Sequence, residues 1–506
     1  MHTTRVTTHP RRRIRRLRAA AFALAAAVCA LVLMGPAAAQ VATEWSQFQG
    51  GPAHPGAVSE AAAPPYVSEW TAAVPLAGPN DRYGLSALVL GADQAVAVGP
   101  EHVLGFDVVS GAPTFSVDRD FGPPVPAAVA EVGGRQVVAF TQGFAGSEPG
   151  ASASPSTPTP SGASPAPGAE PVDSHLGAFD LRTQEPLWDP VQLDDVSKTG
   201  VTVQGSVAYV GTDAGTVYAI DLTKGTIDWQ VDVGGELFSS LAAAEGLVVG
   251  GVAGDARTPP SVVGLKSADG SQSWKFEPPS AGLVSGIAIE DGRVFAGFSD
   301  TTLRAIDLGD GAEVWSSRLN APIYPQAGPS VAGGAVYALD VNAQLYRIDA
   351  ADGSRTWDFA LNAVTPRGWP VVAGSHVLVS TDEGRFVAID VDDGHLVWDG
   401  GVGGGPLRWL VPTGDRILGV RGAGAAGIES FASDPGASLV DVASPTVVDA
   451  GIIVRNFAIA AVPIVVLALL LGGALGRRMG PAFIIVDEDG APSRATQDAH
   501  EDQDEG

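Results

Sequence analysis

Cysteine occurs once, at Cys29, inside an apolar stretch near the N-terminus. The rest of the 506-residue chain therefore offers no disulfide, no thiolate metal site and no vicinal cysteine pair. Lysine is nearly as scarce, with Lys198, Lys224, Lys266 and Lys275 the only four. Acidic residues outnumber basic ones by 56 to 30. That balance argues against nucleic acid or anionic lipid as partner of the main domain, because either needs a basic face. Long amphipathic helical patterns are missing as well. The histidines His54, His102, His175, His376 and His395 are dispersed, without H-E-x-x-H or any other ligand spacing. The glycine-rich run GGVGGGP, residues 400–406, lacks the lysine of a phosphate-binding loop and reads as a connector. No Ser-His-Asp arrangement stands out.

What is present is repetition. GTVYAIDLTKGTIDW ends at Trp229 and GRFVAIDVDDGHLVW ends at Trp398. Related phrases end at Phe115, Trp188, Trp274, Trp315 and Trp357. From Trp188 to Trp398 the intervals are 41, 45, 41, 42 and 41 residues, a period that marks units burying apolar faces against their neighbours. Each unit alternates apolar residues, turns at Asp-Gly or Gly-Gly, and ends on the aromatic. Four short antiparallel strands per unit, repeated radially, make a β-propeller. The expected fold is all-β, an eight-bladed propeller of four-stranded antiparallel blades, with one C-terminal transmembrane helix.

Asp107, Asp180, Asp221, Asp307, Asp349 and Asp390 hold the same turn position, where a carboxylate accepts backbone N–H groups and the following Gly supplies a positive φ. Lys266 and Ala432 break that row, and Gln184 replaces the Gly of its own copy. Trp188, Trp229, Trp274, Trp315, Trp357 and Trp398 are expected to pack between blades with the indole N–H bonded to backbone. Trp70 lies one period before Phe115 without a hairpin of its own, so it is expected on an orphan outer strand. Residues 407–434 supply three strands of a degenerate last unit. Joining the two closes a ring of eight from about residue 66 to 436, and a competing closure uses SLVDVA, residues 438–443.

The two ends carry their own signals. Seven arginines precede AAAFALAAAVCALVLMG and PAAAQ, which are the three parts of a secretory signal, residues 1–39, cleaved after Ala39. An uncleaved anchor is the other reading of this stretch. Arg12-Arg13 leaves open export of a folded protein, and Val28 before Cys29 argues against a lipoprotein site. Without those seven arginines, 23 basic residues of the 30 face 56 acidic ones, a net charge of −33. FAIAAVPIVVLALLLGGALG, residues 457–476, is uncharged for 20 residues, enough to cross a bilayer core of about 30 Å. Arg477 and Arg478 follow, and the positive-inside bias puts residues 40–450 outside and the acidic tail 477–506 in the cytoplasm. The Pro/Ser/Ala-rich stretch 146–173 lengthens one interval to 73 residues and is expected to project as a disordered insertion, with sugar attachment as an alternative.

The pattern A-x-D-x-x-x-G-x-x-x-W after a V-Y or L-Y strand resembles the pyrroloquinoline quinone (PQQ) enzyme repeat. EWSQFQGGPAHPG, residues 44–56, is similar to the leading segment of that superfamily. The resemblance implies the propeller over roughly residues 45–440. For function it implies two classes, since the same repeat builds quinoprotein dehydrogenases and non-enzymatic propellers of outer-membrane assembly. A dehydrogenase would hold PQQ on the axis with calcium, a catalytic Asp and often a vicinal cysteine pair. The turn aspartates recur once per blade and serve the repeat, so no catalytic, cofactor or metal residue is assigned. The resulting expectation is a single-pass, membrane-anchored, extracytoplasmic interaction or scaffold module without cofactor, working with other envelope proteins. A PQQ-dependent oxidoreductase of alcohols or sugars, or a receptor for a small ligand such as a wall sugar, is the alternative.

Overall fold

The computed structural model describes residues 45–74, 84–144, 173–254, 259–279, 283–363, 368–401, 405–422 and 427–436. The expected signal, transmembrane helix and acidic tail lie outside these residues, as do 146–172 of the insertion and the competing closing strand. Among the described residues no helix is long and apolar enough to cross a membrane. All of them fall within the compact unit Met1–Val440.

Blade 3 shows how the phrase folds. Its strands are Thr202–Gln204, Val207–Gly211, Thr216–Asp221 and Thr226–Asp232, paired antiparallel in that order. The third strand is buried along its length because neighbouring blades cover both of its faces. Of the outermost strand only Trp229 is buried. Seven further sheets repeat the pattern. Blades 1, 2, 4, 5, 6 and 7 span residues 89–118, 128–193, 242–276, 284–318, 330–360 and 371–401. Blade 8 takes three strands from 407–433 and its outermost strand, Tyr66–Ala73, from the start of the chain. Trp70 faces Ser430 in that pairing. Blade 7 departs from the four-stranded plan. Ala57–Val58 adds a fifth strand, parallel, against Val371–Ala373.

The repeated phrase interlocks successive blades. The indole N–H of Trp229 donates to the carbonyl of Ser267 in blade 4 at 2.9 Å. Trp188, Trp274, Trp315 and Trp357 donate in the same way to Leu222, Leu308, Ala350 and Val391 of the next blade. In each case the acceptor directly follows the repeat position held by Asp or, once, by Lys266. The turn glycine lies flat under the same ring. At Gly270, with φ +72°, a Cβ would stand 2.5 Å from Trp229 Cε3, so a side chain there is excluded by both backbone and contact. Trp70 caps Gly111 in the same manner, and Trp398 packs edge-on to Tyr66 of the closing strand. Phe115, in place of a tryptophan, meets Phe179.

The turn aspartates accept the expected N–H groups. Asp107 bonds Ser110, Asp180 bonds Arg182 and Thr183, and Asp221 bonds Thr223. Asp307, Asp349 and Asp390 each bond the second and third residues after them. Hydrogen bonds from Lys224 and Thr223 hold the Asp221 carboxyl down at about 2. In the copy broken by Lys266, Asp269 closes the turn on Ser271 instead.

Blade 2 departs from the other blades at its outer edge. Trp188 does not sit on the outermost strand, which is Val191–Leu193. Gln184, standing where the turn glycine belongs, takes φ +58°, and the strand restarts only beyond Trp188. Trp229→Ala is expected to lower stability by about 3 kcal/mol, the lower end for a buried large aromatic because a ring edge meets solvent. Urea unfolding of the two proteins measures it.

Candidate functional site

Residues 45–58 run through the propeller axis and bond six blades in turn. Ser46 O accepts from Val129 N of blade 2 at 2.8 Å. The Gln47 amide pairs with both backbone groups of Val203 in blade 3, each at 2.7 Å. Pro52, Ala53, Pro55 and Gly56 then accept from Ala243, Ile289, Val331 and Val372 of blades 4, 5, 6 and 7. These are the innermost strands, whose edge groups would otherwise be unpaired. His54 is fully buried in this collar, its Nδ1 3.2 Å from the carbonyl of Ile287. Its Nε2 lies 3.4 Å from Thr202 Oγ1. Burial drives its pKa down to about 3 against the Ile287 hydrogen bond, so the ring is neutral.

Above the collar the axis opens into a basin of about 530 Å³. Its walls are the segments that lead into the innermost strands of six blades, with Arg408 and Trp409 from the innermost strand of blade 8, and its floor is Phe48 with Trp369. Phe48 meets Trp369 edge-on at 4.8 Å, and Trp369 stacks on Trp409 at 6.4 Å. Phe238, Tyr324 and Phe144 complete an aromatic rim beside Pro123, Pro124 and Pro126. The Pro123 side is fixed by Arg119, a buried guanidinium that donates to the carbonyls of Pro100, Thr141, Gly122 and Pro123.

Two features of the basin carry strain or an unmet bond. Trp409 has φ +51°, a conformation that costs a bulky residue of order 1 kcal/mol or more and clusters at binding sites. It lies in an irregularity of the innermost strand, where the register shifts between Arg408 and Val411 and re-aims the intervening side chains. Trp369 is 3% exposed, yet its indole N–H has no hydrogen-bond partner.

The basin's two cations are already matched. Lys198 Nζ reaches Asp213 at 2.5 Å and Glu236 at 3.0 Å, and Arg408 holds Asp382 through two bonds of 2.9 and 3.1 Å. Burial opposes the Lys198 ammonium, but both carboxylates outweigh it and hold its pKa above the usual value. Burial pushes Asp213 up to about 6 in spite of Lys198. Two cations against three carboxylates do not suit PQQ, a tricarboxylate. A calcium ion to offset its charge would need converging oxygens. Among the described residues such a group occurs at Asp390, Asp393 and His395, on the outer turn of blade 7 rather than in the basin. The residues present do not fit quinone with calcium, and no step is derived through them.

The turn aspartates and repeat tryptophans lie at the blade periphery and are not brought together. The basin residues were missed by the sequence reading, though a signal was there. Of ten tryptophans, seven keep the repeat register, while Trp45, Trp369 and Trp409 do not.

A protein-family model described as outer membrane protein assembly factor BamB matches residues 172–323 and 299–426, together half of the chain. Outer membrane protein assembly factor BamB of Nitrosomonas eutropha (strain DSM 101675 / C91 / Nm57) is 31% identical over 154 residues, 30% of this chain and 36% of that protein. BamB of Yersinia pestis is 27% identical over 160 residues, 28% of this chain and 39% of that one. The chain thus spans between a third and two fifths of these relatives' length. Among solved structures, BamB from Moraxella catarrhalis superposes with a TM-score of 0.52 at 16% identity, over 73% of this chain and 100% of that one. Quinohemoprotein alcohol dehydrogenase ADHIIG from Pseudomonas putida HK5 gives 0.58 at 12% identity, over 78% and 81%. At such identities the likeness is one of fold, which both kinds of protein share. The overlapping matches, by contrast, follow the sequence phrase itself through blades 3 to 7 and into blades 2 and 8, and by them the chain belongs to the PQQ-like β-propeller repeat family.

Proposed function

We propose that this chain is a scaffold of the cell envelope that binds other proteins during their assembly, tethered to the membrane by residues 457–476 with the propeller outside. The observation that carries the reading is the basin. Its aromatic rim and arginine are the residue types that dominate protein interfaces, while its charges are satisfied internally. Its sequence relatives named as assembly factors support the same class. A photo-crosslinking residue at Gln326, which is exposed on the rim, is expected to capture envelope proteins from intact membranes. The same residue placed on an outer turn, at Asp310, serves as control. Equal capture at both positions would remove the basin from the reading.

The chain is read as non-enzymatic. PQQ and calcium added to the purified protein are expected to leave its absorbance unchanged and to give no dye-linked oxidation of alcohols or sugars. Stoichiometric binding with turnover would replace the scaffold by an oxidoreductase. Topology has its own check: protease added to intact cells is expected to digest the propeller and spare the residues after Arg478, and protection of the propeller would invert the arrangement.

A further inference from the structure

The basin's chemistry selects a particular kind of polypeptide. Its flat walls are aromatic rings and prolines, and its carboxylates Asp213, Glu236 and Asp382 are held by Lys198 and Arg408. The buried polar atoms without a partner there are the indole N–H of Trp369 and Oδ1 of Asp213, one donor and one acceptor, both beneath the basin surface. A ligand that matches such a surface has apolar faces and brings few N–H groups and little charge. A polyproline II segment is that ligand, since proline lacks the N–H and the extended helix leaves its carbonyls unbonded.

Such a segment is tethered at the rim. The strand Arg135–Phe144 ends on Phe144, which itself lines the basin, and the chain returns at Asp173, paired directly with Phe144. The 28 residues between them, 145–172, contain seven prolines and no lysine or arginine. Their only charges are Glu148 and Glu170, so the segment brings little charge to a basin whose own charges are paired internally. Half of that length, at about 3.1 Å per residue, reaches about 40 Å, more than enough to cross the basin and come back. A short tether also keeps its segment at an effective concentration of order millimolar.

We propose that the axial basin is a docking site for a proline-rich extended peptide and that its occupant is this chain's own segment 145–172. The proposal rests on reading the basin as a protein-binding face and adds its ligand chemistry. An assembling partner then competes with a resident segment, so only a chain of matching chemistry displaces it.

The test compares the full chain with a full chain in which all seven prolines of the segment are replaced by glycine. The probe is a fluorescein-labelled synthetic peptide of residues 147–171, followed by anisotropy. The proline-free variant is expected to bind it at least tenfold more tightly than the natural chain, whose basin is held in cis. Adding Phe238→Ser to the proline-free variant is expected to abolish binding, and Tyr324→Ser to weaken it. Both side chains are only half-buried, and thermal unfolding verifies that the variants fold. Absence of binding to either chain overturns the proposal. Equal affinity for both chains overturns it too, because the basin is then free for another protein's segment. Binding that ignores Phe238→Ser and Tyr324→Ser places the peptide elsewhere and also overturns it. None of these outcomes depends on a partner being captured from the membrane.

Discussion

Replacing Val67 and Ala432 by cysteine is expected to give a disulfide that closes on mild oxidation and raises the stability of the propeller by up to about 5 kcal/mol. The two residues face each other in the antiparallel pair that completes blade 8, so their Cα atoms lie within the span a disulfide bridges. The bond would enclose nearly the whole ring, and the entropy removed from the unfolded chain grows with the logarithm of the enclosed length, giving about 5 kcal/mol as a ceiling. The only natural cysteine, Cys29, lies outside the described residues, and its being single limits competing pairings. Unfolding in urea with and without reductant measures the gain. If Val67 and Ala432 fail to crosslink while a pair shifted by one residue does so, the closing strand sits in another register.

That strand was legible in the sequence because closure leaves a numerical trace. Trp70 stands one period before Phe115 without a hairpin, and the last unit is one strand short. The interlock between blades was legible for the same reason: it joins residues at a constant spacing, so Asp221, Gly225 and Trp229 recur as a phrase. The axis leaves no such trace. Residues 45–58 pass from blade to blade and meet six of them, mostly through backbone carbonyls that any residue provides. Among the described contacts, the side chains of Gln47 and Gln49 and the ring of His54 are the specific ones. The basin was hidden differently. Trp369 and Trp409 are separated in sequence and come together because both lead into or form innermost strands of adjacent blades. Trp409 is aimed by a local register shift that no periodicity encodes. The departure of blade 2 was half legible, since Gln184 in a glycine position marks the fault but not where the strand resumes.

Acid is expected to weaken the propeller through His54, and the sign follows from its burial. In the unfolded chain this histidine takes up a proton below about 6.5, whereas in the fold it stays neutral down to about 3. Between those values the unfolded state holds the extra proton, so stability rises with pH and is lost as pH falls from 6.5 toward 3. One proton is worth about 1.4 kcal/mol per pH unit, so the loss approaches about 5 kcal/mol across the window. Asp213 acts in the opposite direction, because its raised carboxyl takes up a proton in the fold near pH 6, before the unfolded chain does. The turn carboxylates held low, such as Asp221, add to the acid loss at lower pH. The separate contribution of His54 is therefore read as a difference between two proteins. Asparagine tolerates the positive φ of 54° at this position and offers an amide donor to the Ile287 carbonyl, so His54→Asn keeps the collar while removing the titration. Between pH 6.5 and 4.5 the natural chain is expected to lose about 2 kcal/mol more than His54→Asn in urea unfolding. Parallel pH profiles for the two proteins would mean that the ring reaches water in the folded state, and that the collar does not seal the axis as the hydrogen bonds of residues 45–58 require.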